Sequence, residues 1–240
     1  MVIQASGRTF RQINEDIRSA ADRQVEIRGC CGHRFLADGL AGRRVEIYGT
    51  PGNALGAYLD GSELLVHGNA QDAVGDTMND GLIAVDGLAG DAAGYAMRGG
   101  RIFVHGDIGY RAGIHMKEYE DKQPLLVVGG RAGSFLGEYQ AGGRIVVLGL
   151  HTEDEPPVGR FCGRGMYGGR IYLRSRQMPS DLSERLIARP ASENDMADIR
   201  PALEEFCRLF GESMEAVLSC PFTVIRPDNS NPYRQLYTVY

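Results

Sequence analysis

His67, Asp86 and His105 recur at intervals of 19 residues. If that spacing stacks them, two imidazoles flank one carboxylate, a set that can bind a metal ion or pass a proton. The full column runs Tyr48, His67, Asp86, His105, Leu148 and Arg174. Strand alternation points it outward, where polar ladders are ordinary, so the structural reading is preferred to the chemical one. A second column, Leu59, Met78, Met97, Met116, Gln140 and Met166, offers four thioethers that could suit a soft metal. Methionine also fills irregular cores and Leu59 shares the slot, so a buried ladder is expected. Gly163-Arg164-Gly165-Met166-Tyr167-Gly168 spells a dinucleotide fingerprint. That motif needs a buried strand before it and a helix after it, whereas Pro156-Pro157 precede it here and a strand follows. Ser6, Ser62, Ser134 and Ser175 lack the surroundings of a nucleophile elbow, no cysteine follows Met1, and no pair of carboxylates stands out. No residue is therefore assigned a catalytic, cofactor-binding or metal-binding role, and no activity is expected from the chain alone.

The elements that position these columns come from a repeat. Gly56, Gly75, Gly94, Gly113, Gly137 and Gly163 each open a similar run, and a looser first copy covers residues 29 to 49. The closing glycines Gly49, Gly68, Gly87 and Gly106 are 19 residues apart, as are Gly130 and Gly149. A fixed period near twenty marks a solenoid. Inside each copy, Leu64 and Val66, Ile83 and Val85, Ile102 and Val104, Ile145 and Val147, and Ile171 and Leu173 alternate as a short strand does. The expected fold is mainly β, a right-handed single-stranded parallel β-helix of about seven turns, roughly 30 Å long at ~4.8 Å per turn. Between the inward positions lies a further column, Glu46, Leu65, Ala84, Phe103, Val146 and Tyr172, which should face outward yet is largely apolar. A strand apolar on both faces belongs to a covered sheet, so terminal helices or another protein should lie on it.

The chain has 240 residues, 43% of them hydrophobic, enough for one solenoid core with flanking helices. A net charge of −5 argues against nucleic acid as a partner. No apolar run approaches the length of a membrane span and no signal peptide is evident, so a cytoplasmic protein without membrane association is expected. The five cysteines, Cys30, Cys31, Cys162, Cys207 and Cys220, form no Cys-x-x-Cys pair. Zinc and iron–sulfur sites lack their usual signature, and Cys162 falls in the inward slot that other copies fill with Leu55, Val74 or Ala93.

Three parts are expected: an N-terminal helical cap over 1–28, the β-helix of roughly 19-residue turns over 29–175, and C-terminal helices with an extended tail over 176–240. Residues 9 to 22 read as an amphipathic helix with Thr9 and Gln12 spaced as a capping box. Such a cap covers strand edges left open at a solenoid end. Residues 181 to 188 and 194 to 219 also read as helices, with Pro201 near a start and Gly211 as a stop. Two turns carry insertions, one over 116–124 holding both lysines and one over 149–157, acidic and proline-bearing. Candidate partner contacts are His115, Lys117, Glu118, Tyr119, Lys122, Glu138 and Tyr139 near the first, and His151, Glu153 and Asp154 on the second.

With the repeats aligned, the chain resembles the glycine-rich third domain of the glutamate synthase large subunit. The strings that carry the resemblance include Gly49-Thr50-Pro51-Gly52-Asn53-Ala54-Leu55-Gly56-Ala57, Gly68-Asn69-Ala70-Gln71-Asp72, Gly106-Asp107-Ile108-Gly109-Tyr110-Arg111-Ala112-Gly113 and Phe135-Leu136-Gly137-Glu138-Tyr139, with Asn231-Pro232-Tyr233 in the tail. The resemblance implies a right-handed parallel β-helix that performs no chemistry. It implies that the helix holds together an amidotransferase, which releases ammonia from glutamine, and an FMN and iron–sulfur domain that aminates 2-oxoglutarate. Both are missing here, so the chain is similar to the stand-alone form, with FMN and iron–sulfur expected on partner subunits and homo-oligomers possible in isolation. A related reading is a structural subunit of a formylmethanofuran dehydrogenase-like or N-methylglutamate synthase complex. A third is an independent enzyme with a carbohydrate site on the solenoid flank.

Overall fold

A computed structural model describes residues 1–150, 152 and 155–228. Its strands are β1 (Val2–Gln4), β2 (Gln24–Cys31), β3 (Arg44–Thr50), β4 (Asp60–His67), β5 (Asp80–Val85), β6 (Arg101–Val104), β7 (Leu125–Val128), β8 (Ala141–Val147), β9 (Gly168–Arg174), β10 (Leu186–Pro190) and β11 (Phe222–Pro227). The helices are α1 (Phe10–Ser19), α2 (Glu193–Phe210) and α3 (Met214–Leu218). The protein is mainly β, with all these strands in one open, mixed sheet. From β1 to β9 each strand pairs in parallel with the next in the sequence. Each connection therefore returns the chain beside its own last strand, and one such circuit is called a rung below. The register follows the repeat: Val45, Leu64, Ile83, Ile102, Leu126, Ile145 and Ile171 are successive partners. All seven are fully buried.

Two further rows knit the rungs together. Parallel bridges link Ala70 to Ala89, Ile108, Ala132 and Val158 in turn. At the corner, the N–H of each opening glycine donates to the rung before it, as Gly75 does to Leu55 O and Gly94 to Val74 O. The residues two before and two after that glycine also take positive φ, among them Ala54, Tyr58, Ala73, His115, Phe135 and Tyr139, and their N–H groups donate to the rung after. Alternating the donor direction lets one short corner bond both neighbours. The methionine column lies in the core, with Met78, Met97 and Met116 fully buried. Gln140 interrupts it where β8 carries an irregularity opposite β9, and its Nε2 donates to Gly142 O and Gly143 O at 3.0 and 3.1 Å.

Beneath the first rung lies only the short strand β1, and α1 stands in for the rest of the missing neighbour. Thr9 and Gln12 form the capping box, and Ile13 and Ile17 are buried. Asn14 on the same face accepts from the Ala37 N–H at 2.8 Å and donates to Phe35 O at 2.7 Å. The Ala37 N–H is the group that in later rungs bonds the preceding turn, as Gly56 N does to Leu36 O, while the counterparts of Phe35 O accept within their own corner, as Ala54 O does from Ala57 N. Replacing Asn14 by Leu keeps the volume and strands both, so a loss of about 2–3 kcal/mol in denaturant unfolding is expected. An unchanged midpoint would mean that the end of the stack does not need this substitute.

At the other end the sequence reading needs two corrections. Residues 181 to 188 are not helical: β10 pairs antiparallel with β11, which pairs antiparallel with β9. The i, i+4 spacing of Leu182 and Leu186 suggests a helix, but the exposed edge of β11 offers that segment its hydrogen bonds, and tertiary pairing overrides propensity. Pro201 sits well inside α2, because Ser192 and Asp195 cap the helix earlier. It lies on the exposed side, where water can take the freed carbonyl. Gly211 ends α2 in the left-handed conformation, as its position suggests. The Arg189 guanidinium, and then Ser192, hold the Asp195 carboxyl well below its ordinary range.

The apolar outward column is covered by this end of the chain. Phe103, Val127, Val146 and Tyr172 pack against Ile199, Leu203 and Phe206 of α2 and Val224 of β11. Asp198 pins the helix down, accepting from Arg144 at 2.7 Å, Arg170 at 3.0 Å and Tyr172 at 2.9 Å. Burial, and then the bond to Asp198, raise the Tyr172 phenol above its ordinary value.

Candidate functional site

The cover stops at the lower rungs. Where α2 ends, a pocket of about 270 Å³ opens, lined by Leu65, Val66, His67, Ala84, Asp86, Leu209 and Phe210. The outward column expected from the spacing does line up here, since Tyr48 is the register partner of His67 and the Asp86 and His105 N–H groups bond Val66 O and Val85 O. Its side chains do not act as one set. His67 turns down the column, stacking on Tyr48 at 4.4 Å and facing Glu46 at 3.5 Å. Burial works against ionisation of Glu46, yet hydrogen bonds from His67, Tyr48 and Arg44 hold its carboxyl below the ordinary value. His105 also reaches the rung below, with Nδ1 3.3 Å from Asp86, but its Nε2 lies 2.9 Å from Glu212 and its ring lies flat on Phe210 at 4.7 Å. The His105 contacts thus tie the sheet face to the end of α2, a fastening that needs no ligand. Among the described residues no three His, Cys, Asp or Glu side chains converge to hold a metal.

Cys30 and His33 make a contact that the sequence reading missed, with Sγ 3.8 Å from Nδ1. Two features keep it from being an activated nucleophile. Burial pushes the Cys30 thiol up to about 11, and the Nδ1 already accepts from the Cys31 N–H at 3.1 Å. Cys162, as its slot implies, is buried, and burial pushes its thiol up to about 12.

The candidate partner contacts gather on the corner flank. His115 stacks on Tyr139 at 5.3 Å, and Tyr95 meets the edge of His115 at 5.9 Å. Beside that row runs another, in which Tyr110, Phe135 and Phe161 touch in succession at 5.2 and 4.8 Å. Guanidiniums lie over these rings: Arg111 over Tyr110 and Phe135, and Arg160 and Arg164 over Phe161. Glu138 is buried and paired with Arg111 at 3.1 Å, so it fixes the arginine rather than meeting solvent. In the inserted loop Tyr119 and Lys122 close a tight turn, Lys117 and Tyr119 are exposed, and Glu118 accepts from the Gly143 N–H at 2.9 Å. Lys122 reaches back along the stack toward Asp60 at 3.6 Å and Asp80 at 3.8 Å. His151, Glu153, Asp154 and the Asn231-Pro232-Tyr233 string lie outside the described residues.

Glycine-cornered rungs with an aliphatic interior, a helix-covered face and a flank of stacked rings define a repeat protein. The chain belongs to the GXGXG motif family, which takes in the C-terminal domain of the large subunit of glutamate synthase and whose family model matches residues 11–225. An uncharacterized protein of Methanocaldococcus jannaschii is 41% identical over 251 residues, covering 99% of this chain and 96% of that protein.

Proposed function

We propose that the chain is a non-catalytic scaffold subunit of a glutamate synthase-like complex. In this reading the rungs coil as a right-handed parallel β-helix that holds an amidotransferase subunit beside an FMN and iron–sulfur subunit, so that ammonia drawn from glutamine reaches 2-oxoglutarate. The observation that carries the reading is the family match along nearly the whole chain. Two features of the residues agree with it. The interior is filled by side chains such as Leu55, Leu64, Ile83 and Met97, which leaves no room there for turnover. Among the described residues no three His, Cys, Asp or Glu side chains gather where a metal ion could be held, and the reading puts the flavin and the cluster on the partner subunits.

Affinity purification of the tagged chain from its native cells at low salt tests the reading. The expected result is recovery of an amidotransferase and a flavin and iron–sulfur protein in fixed ratio. Recovery of the chain with neither would overturn it. Co-recovery of formylmethanofuran dehydrogenase-like or N-methylglutamate synthase subunits would reassign it to that sister complex. No helix among the described residues is long and apolar enough to cross a membrane.

A further inference from the structure

The corner flank is divided by side-chain size. On the two rungs opened by Gly75 and Gly94 the two outward, positive-φ positions hold small residues, Ala73 and Thr77 on one and Ala92 and Ala96 on the next. On the upper rungs the same positions hold Arg111 and His115, then Phe135 and Tyr139. Positive φ costs a residue with a side chain about 1–2 kcal/mol, so the backbone gives no reason to place rings here where glycine would do. The rings leave half of the flank proud and the other half recessed.

Charge is divided in the same way. Asp72, Asp76 and Asp91 lie on the recessed rungs and Arg111, Arg160 and Arg164 on the proud ones. The ring rows run along the stack, and their faces are taken: His115 and Tyr139 lie on each other, and Arg111, Arg160 and Arg164 lie over Tyr110, Phe135 and Phe161, which meet edge-on or tilted. Bases and sugars stack on exposed ring faces, so the flank suits a protein surface instead. Ring edges are electropositive and strengthen the pull of the guanidiniums on carboxylates.

From this pattern we infer that the flank pairs with the same flank of a second copy, the two stacks running antiparallel about a two-fold axis between the Gly94 and Gly113 rungs. That axis sets the Gly75 rung opposite the Gly137 rung, so Ala73 faces Phe135 and Thr77 faces Tyr139. It sets the Gly56 rung opposite the Gly163 rung, where Ala54 meets Phe161 and Tyr58 comes beside the Tyr139 ring that lies over Gly165. Phe135, Tyr139 and Phe161 then each meet a small side chain, and the aspartate-bearing rungs lie within about a rung of the arginines, ~5 Å. Self-complementarity of this kind is what an isologous interface requires. The contact is a narrow strip, so a dimer that dissociates in the micromolar range is expected.

Sedimentation equilibrium of the purified full chain from about 1 to about 100 µM reads the association. Ala73→Phe should weaken it at least ~10-fold by setting ring against ring, and Phe135→Ala should weaken it by leaving a gap. The double variant Ala73→Phe/Phe135→Ala exchanges the large and small partners, so by symmetry it should return to within ~3-fold of the parent. If Phe135→Ala melts by circular dichroism before the assay, the exchange Thr77→Tyr/Tyr139→Thr serves in its place. A monomer at every concentration, a dimer insensitive to the single variants, or a double variant as weak as the singles would each overturn the inference. The scaffold reading is untouched by any of these results, since it is tested by which other proteins are recovered.

Discussion

Gly49→Ala should cost at least about 4 kcal/mol of stability, among the largest effects of any single methyl group in this protein. Gly49 closes a rung at φ +124°, and a Cβ there would overlap the Cys30 carbonyl, with Cys30 N and C each 3.1 Å away. No flexible side chain can yield, because the obstruction is the backbone of the rung below. The same closeness repeats upward: a Cβ on Gly68 would lie 2.7 Å from Gly49 O, and Gly87 N donates to Gly68 O at 3.0 Å. Each closing glycine is thus the seat of the next, and a displaced rung disturbs both neighbours. Gly61→Ala is the control, since Gly61 also has positive φ but nothing within 4 Å of the added carbon. It should lose only about 1–2 kcal/mol. Equal shifts in the guanidinium midpoint for the two variants would refute close stacking at the corner.

Phe206→Ala should lose about 3–5 kcal/mol and uncover one face of the sheet. Phe206 is fully buried, meets His105 at 6.1 Å and Phe210 at 5.0 Å, and packs so near the sheet that a Cβ on Gly129 would come within 2.7 Å of its ring. Without the ring, α2 loses its hold over Phe103 and Val127, and the His105–Glu212 pair loses its support. Binding of an apolar dye should rise together with the fall in stability. Leu218→Ala, at a residue 41% exposed, should do neither. A Phe206→Ala variant as stable as Leu218→Ala would show that the helix is an ornament rather than a cover.

The ladder itself is legible in the sequence because register and period are the same quantity. Val45 to Leu64 to Ile83 to Ile102 is a step of 19 in the chain and one strand in the sheet. The cover is legible too, since Phe103 and Val146 alternate outward yet are apolar, and α2 meets that excess. Alternation encodes only inward or outward, however, and says nothing about which way an outward side chain leans. That is why His67 and His105 share a column but take unlike partners, the one Glu46 and Tyr48 on the sheet, the other Asp86 and, beyond the sheet, Glu212. The strand β10 is hidden because its partner β11 lies more than thirty positions later and the pairing, not the local pattern, decides its form. Asn14 leaves a readable trace, a polar residue beside Ile13 and Ile17 on a buried helix face. The positive φ of Phe135 and Tyr139 leaves none, because only glycine advertises that conformation.

Spin labels on register partners test the central claim, that the glycine period counts stacked rungs. Gln24, Arg101 and Arg170 are exposed and occupy one register line, linked through Arg44, Glu63, Leu82, Leu125 and Arg144. Pulsed electron–electron resonance should place Gln24 and Arg101 roughly 19 Å apart and Gln24 and Arg170 roughly 34 Å apart, the distance growing by ~4.8 Å for every rung between them. Two distances that fail to grow with the number of intervening repeats would mean that the segments fold back on one another, and the stacked arrangement would be wrong.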